Sequence, residues 1–295
     1  MSGPVGEIPE AGPTESMTTG IDTVSGGLDA GFVARHAELA RGYGGGGGDP
    51  EDPALVQAMQ MVLHIPKSDP PRRSLLLAAA AAAAVALCMD PRVGSAGEWE
   101  QRYLTWKWSR IRKVARRARG AQWLAANEVD GITVEVGGAQ ARALVPGPVG
   151  DIHPRIRRLQ IGGTDLEPDE PDPIDPELPV LWVDSELGMS VGKAAAQVGH
   201  ASMLLAGALT VEQLFEWSTH GYRCSVREAG PYRSGPAAGP AWLRSAAASG
   251  PDAAGPSWAA LRRLVREGSA TAVRDAGFTE VAPGSMTVIA VPAGA

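Results

Sequence analysis

Cysteine is almost missing from this chain of 295 residues: only Cys88 and Cys224 occur, far apart in sequence. Two isolated thiols exclude a disulfide framework and a cysteine-based zinc site, and they favour a reducing, cytoplasmic setting. Long hydrophobic runs are missing too. The one apolar stretch, Leu75 to Cys88, is mostly alanine and falls short of the roughly 20 residues a bilayer requires. A buried alanine-rich helix is expected there, with no membrane partner. The first thirty residues carry acids, prolines and glycines instead of a basic start and an apolar run, so no secretory leader is expected. Five histidines (His36, His64, His153, His200, His220) show no ligand spacing. Neither a metal nor an organic cofactor is implied.

What is present is unevenly distributed. Residues 1–52 hold nine acids against two bases, residues 53–160 hold sixteen bases against eight acids, and residues 161–176 hold six acids and no base. The net charge of -6 therefore hides a basic region. Residues 1–52 also contain the run Gly44 to Gly48 and little apolar periodicity, which predicts a disordered acidic tail. Residues 165–178 alternate proline with acid and read as an extended, self-repelling linker. Between and after these lie a basic α/β domain, 53–164, and a second domain, 179–295. Residues 229–257, rich in Gly, Ala, Pro and Ser, look inserted into the latter.

In the first domain, Met59–Ile65 reads as a strand, followed by the alanine-rich helix. A second helix is predicted from about Glu98 to Ala126, on the four- and three-residue spacing of Leu104, Trp108, Ile111, Ala115 and Ala118. Gly131–Val136 and Ala139–Val145, joined by Gly137-Gly138, read as a hairpin. In the second domain the order is strand (Val180–Val183), helix (Lys193 to Leu209), helix (Thr210 to Thr219), strand (Arg223–Arg227), helix (Trp258–Glu267), then strands at Thr271–Val273 and Met286–Val291. The fold class is therefore α/β. The shared plan of strand, alanine-rich helix, second helix and strands suggests that the first domain is a degenerate copy of the second.

Chemistry concentrates in Glu186 to Leu205. Lys193, Gln197 and His200 fall four and three residues apart, on one face of a helix near its N-terminus. Gly188 and Gly192 precede or open that helix, where backbone N–H groups and the dipole favour an anion or a developing oxyanion. Taken singly, these residues equally suit a solvated lysine, a surface glutamine and a core histidine.

Two motifs together say more. Leu187-Gly188-Met189, Lys193 and Ala195-Ala196-Gln197 to His200 resemble the first strand–helix motif of the type 2 peptidyl-tRNA hydrolase family. Far downstream, Asp275-Ala276-Gly277, Thr279-Glu280-Val281, Ala282-Pro283-Gly284 and Thr287-Val288 resemble the family's second motif, in the right order. The resemblance covers residues 179–295. It implies a mixed four-stranded sheet with flanking helices, a homodimer, and hydrolysis of the ester joining peptide to tRNA. It also implies catalytic roles for Lys193, Asp275 and Thr279, with Gln197, His200 and Gly192 about the substrate. The sequence departs from the pattern at Asp184 and Val191, where the family carries bases. Those losses make a non-catalytic tRNA- or RNA-binding protein the alternative function, and a protein-binding adaptor a third.

The basic run Arg110–Arg119 lies in the first domain, within the predicted second helix. Arg112, Arg116 and Arg119 would share a helix flank there, offering phosphate contacts for peptidyl-tRNA. A solvated amphipathic helix paired with the acidic tails is the plain alternative.

Overall fold

The computed structural model describes residues 28–43, 49–230, 256–275 and 280–294. Helix α1 (Ala30–Ala40) is capped by Asp29, whose carboxylate accepts from the Phe32 amide. The prediction that all of 1–52 is disordered is corrected here. Phe32 and Leu39, spaced one helical face apart, are buried, and Lys107, fully buried, pairs with Glu38 at 3.0 Å. Apolar anchors and one ion pair hold a segment whose composition argued for disorder.

The first sheet is built from β1 (Gln57–His64), β2 (Lys113–Ala118), β3 (Gly131–Val136) and β4 (Ala139–Leu144), in the order β2-β1-β4-β3. A two-residue strand β5 (Gly147–Pro148) pairs with the start of β1. Between β1 and β2 run α2 (Arg73–Met89) and α3 (Glu100–Lys107); α4 (Ala121–Asn127) precedes β3, and a short α5 (Pro154–Arg157) follows β5. The second sheet comprises β6 (Val180–Asp184), β7 (Ser225–Ala229), β8 (Thr271–Arg274) and β9 (Met286–Val291), in the order β7-β6-β9-β8. Its helices are α6 (Val191–Ala208), α7 (Val211–Thr219) and α8 (Trp258–Arg266).

The two sheets share one topology. In each, the first strand pairs parallel with the second and antiparallel with the fourth, and the third pairs antiparallel with the fourth. Both sheets are mixed and flanked by helices, as the α/β reading requires. The alanine-rich helix is α2, with nearly every residue buried; no helix among the described residues is long and apolar enough to cross a membrane.

Alanine has no side chain beyond Cβ, so α2 and α6 approach closely. The Ser202 hydroxyl donates to the Ala81 carbonyl at 2.8 Å, and a Cβ placed on Gly199 would sit 3.2 Å from that of Ala84. One apolar core runs across this contact, from Met61 and Leu77 to Leu181, Val198 and Val288. A smaller cluster around Trp182, Leu261 and Ile289 lies under α8, and another around Trp123, Ile156 and Leu159 lies under α4 and α5.

The predicted helix from Glu98 to Ala126 is overturned. It is α3, strand β2 and α4, and the basic run forms β2. Alternation replaces the helical stripe. Lys113 and Ala115 face α6, whereas Arg116 and Ala118 face α4 and α5. Alanine and arginine both favour helix intrinsically, but parallel pairing of Lys113–Ala118 with Met59–His64 satisfies the backbone of the core strand β1 and prevails.

The acidic segment 165–178 contains no helix or strand, but two of its carboxylates are paired with a base. Asp169 accepts from the Ser74 amide at 2.8 Å and pairs with Arg72, which also holds Asp172. Of the proposed insertion 229–257, residues 231–255 lie outside the described residues.

Candidate functional site

Lys193 and Asp275, 82 residues apart in sequence, meet in a direct ion pair, with side chains only 10% and 7% exposed. Gln197, one turn along α6, donates from Nε2 to the same Asp275 oxygen at 2.8 Å. Its own Oε1 accepts from the Thr287 hydroxyl at 2.7 Å, and Thr287 is fully buried on β9. The result is a continuous buried chain, Lys193–Asp275–Gln197–Thr287, linking the start of α6 to the ends of β8 and β9. Asp275 itself is held by its backbone: its amide donates to Ser285 at 2.9 Å, and its carbonyl accepts from Gly284 at 2.7 Å. The positive φ of Gly284, 78°, suits glycine at that reversal.

The start of α6 is closed as well. Ser190 accepts from the Lys193 amide at 3.2 Å and donates to Glu280 at 2.7 Å. The Gly192 amide donates to the Thr164 hydroxyl at 3.0 Å. Thr164 and Ala115 come so near that a Cβ on Gly192 would lie 3.1 Å from the Thr164 oxygen, which is why glycine stands there. The expectation that this helix start offers open amides to an anion is therefore corrected for these two. Their donors are taken, one by an N-cap serine and one by the other half of the chain.

Above this chain lies a cavity of about 530 Å³. One wall is α6, with Lys193, Ala196, Gln197, His200 and Leu204; the opposite wall is the start of β2, with Ile111, Arg112, Lys113 and Ala115. Val273, Arg274 and Asp275 close one end, and Tyr43 contributes from the segment after α1. Lys113 Nζ stands 3.0 Å from His200 Nδ1 and 2.9 Å from the Met203 sulfur. Burial drives the Lys113 ammonium down to about 7, and burial followed by the charges of Lys113 and Lys193 lowers His200 well below the usual imidazole range. His200 is neutral near pH 7.

No protein-family model, curated protein or solved structure matches this chain.

The structure thus brings Lys193, Gln197, Asp275, Gly192 and His200 to one site, whereas Thr279 lies outside the described residues. The three arginines do not form one flank. Arg112 lines the cavity and pairs with Asp49 at 2.7 Å. Arg116 is buried on the other face of β2, donating to Gln60 and to the Leu159 carbonyl, and burial lowers its pKa. Arg119 is exposed beyond the end of the strand. A strand sends neighbours to opposite faces, so the helical arithmetic that grouped them fails. Asp184 and Val191 are both buried. The Asp184 carboxyl, raised chiefly by desolvation, accepts from the Glu186 amide at 3.1 Å, so it acts as a turn cap.

Thr164 and Tyr43 escaped the sequence reading, and Lys113 was read only as one base of a helical run, because each comes from outside residues 179–295. The available signal was the strand alternation hidden in the basic run. At the matching place in the first sheet the chemistry is absent. Leu75, the third residue of α2 as Lys193 is of α6, lies against Gly137, the residue after β3 as Asp275 is after β8. An apolar contact occupies the place of the ion pair.

Proposed function

We propose that this chain hydrolyses the ester joining peptide to tRNA in peptidyl-tRNA. The observation that carries the reading is the buried Lys193–Asp275 pair at the floor of a cavity, assembled from the two motifs that resemble the hydrolase family. Ester hydrolysis requires an oriented water and stabilisation of the tetrahedral oxyanion. Asp275 orients the attacking water and accepts its proton. The Lys193 ammonium, at the positive end of α6, supplies field for the oxyanion. Gln197 positions Asp275 and is itself oriented by Thr287. The apolar end of the cavity, with Tyr43, Ile111 and Leu204, suits the acyl portion. Thr279 is the third catalytic candidate.

The test is release of free tRNA from an N-acetylated aminoacyl-tRNA by purified protein, beside Lys193→Ala. Cleavage by the wild type, reduced about 10²- to 10³-fold in the variant, supports the reading. Salt-sensitive binding of tRNA without cleavage by the wild type overturns it in favour of a binding protein.

A further inference from the structure

The chain has four lysines: Lys67, Lys107, Lys113 and Lys193. Their surroundings differ in kind. Lys107 is paired with Glu38 and Lys193 with Asp275. Lys67 stands exposed on the surface. Lys113 makes no ion pair with a carboxylate among the described residues, although it projects from β2 into the 530 Å³ cavity. Its neighbours are neutral or cationic: His200 Nδ1 at 3.0 Å, the Met203 sulfur at 2.9 Å, and the Trp106 ring at 5.2 Å from its centroid. Gly199 makes room for it, since a Cβ there would lie 3.2 Å from both Cδ and Cε of Lys113. Cys88 and Lys193 are the other titratable groups whose charges are felt at Lys113 or its His200 partner; burial pushes the Cys88 thiol up to about 12, so it stays protonated and supplies no counter-charge.

A buried ammonium without an anion is unfavourable, and the group relieves this by losing its proton. The neutral amine donates one N–H to His200 Nδ1 and keeps a lone pair for the cavity. Amines held neutral in this way are the nucleophiles of imine chemistry. One further feature of the lining fits a carbonyl ligand that carries a carboxylate: Arg274 borders the cavity as a cation, while the Arg112 guanidinium is already paired with Asp49.

We propose that Lys113 is an imine-forming site for a small aldehyde or 2-oxo acid, independent of the ester-hydrolysing pair. The Lys113 lone pair attacks the carbonyl carbon; the C–N bond forms as the C=O π pair moves to oxygen. The nitrogen passes one proton by way of His200 Nδ1 to the alkoxide, giving the carbinolamine. Its second N–H proton follows the same route to the carbinolamine hydroxyl, which leaves as water while the nitrogen lone pair forms the C=N bond. The balance is amine plus carbonyl giving imine plus water, with no oxidant or reductant.

The test is reductive trapping on the unaltered full-length chain, with glyoxylate and cyanoborohydride at pH 7. Label at each lysine is read by peptide mass spectrometry, and the α-amino group is read separately. Lys113 is expected to be labelled at least tenfold faster than exposed Lys67, and this preference is expected to vanish in urea. Label appearing at Lys67 as fast as at Lys113 in the native chain overturns the proposal, as does a preference that survives unfolding. The experiment requires no substitution, so a misfolded variant cannot mimic either outcome. Ester cleavage plays no part in the readout, so failure here leaves the hydrolase reading standing, and the reverse holds.

Discussion

Lys193 and Asp275 satisfy each other inside a nearly closed site, and that mutual dependence makes single truncations there expensive. Removing one partner of a buried pair leaves an uncompensated charge, typically destabilising by about 3–5 kcal/mol, whereas replacing both by apolar groups is often close to neutral. Urea denaturation of Lys193→Met is therefore expected to show a loss of about 3 kcal/mol, and the Lys193→Met/Asp275→Leu double variant to regain part of it, since Gln197 Nε2 then loses its acceptor. Thr287→Val would orphan the buried Gln197 oxygen and is expected to lower stability by about 1–3 kcal/mol. Lys113 adds a pH signature. Its pKa is about 7 in the fold against about 10.4 unfolded. Between those values the unfolded chain binds the extra proton, so stability rises with pH and is lost again as pH falls through 7. From pH 7 to 8.5 the wild type is expected to gain on the order of 2 kcal/mol relative to Lys113→Met, a comparison in which the thiols cancel. Parallel denaturation curves for the two proteins would sink this assignment.

At the level of elements, the instructive case is β2. Its composition, KVARRA, reads as helix by propensity, and the spacing of Leu104, Trp108, Ile111, Ala115 and Ala118 is helical. The strand forms because β1 is buried along its length and needs a parallel neighbour, a demand no local window contains. By contrast, α2, α6, α7 and the β3–β4 hairpin were legible. The hairpin turn Gly137-Gly138 has φ of 54° and 82°, the conformation two glycines adopt freely. The starts of the two central helices are stabilised by the same stretch of chain. Thr164 accepts from the second amide of α6 and Asp169 from the second amide of α2. Losing one such cap is expected to destabilise by about 1 kcal/mol. Thr164→Val and Asp169→Ala should each show that in denaturant titration. Effects near zero in both would mean this segment does not cap the helices in solution.

For the molecule as a whole, the decisive feature is the shared core. Two sheets of equal topology are joined through α2 and α6, and the apolar cluster crosses that contact without interruption. Cooperative unfolding follows from a core that neither half can keep alone. Far-UV circular dichroism and tryptophan fluorescence should trace one coincident transition, with tryptophans such as Trp106 and Trp182 reporting from either side. Two separated transitions would refute a common core. Gly199→Val should lower the midpoint of that single transition by overpacking Ala84 and Lys113, at about 1–3 kcal/mol. The cavity exists only because of this arrangement, since one wall comes from β2 and the other from α6.

The sequence alone determined what depends on near neighbours: the alanine-rich helix, the glycine hairpin, the second half's order of helices and strands, and the face shared by Lys193, Gln197 and His200. It also pointed to Asp275, because two separated motifs resemble one family's pattern. Tertiary structure alone decided three things. It turned a basic run into a strand, because pairing with a buried strand outweighs intrinsic preference. It buried Arg116 away from solvent. And it set Lys113 beside His200, because contacts across 87 residues of chain depend on which surfaces are buried together and leave no periodic trace in either segment.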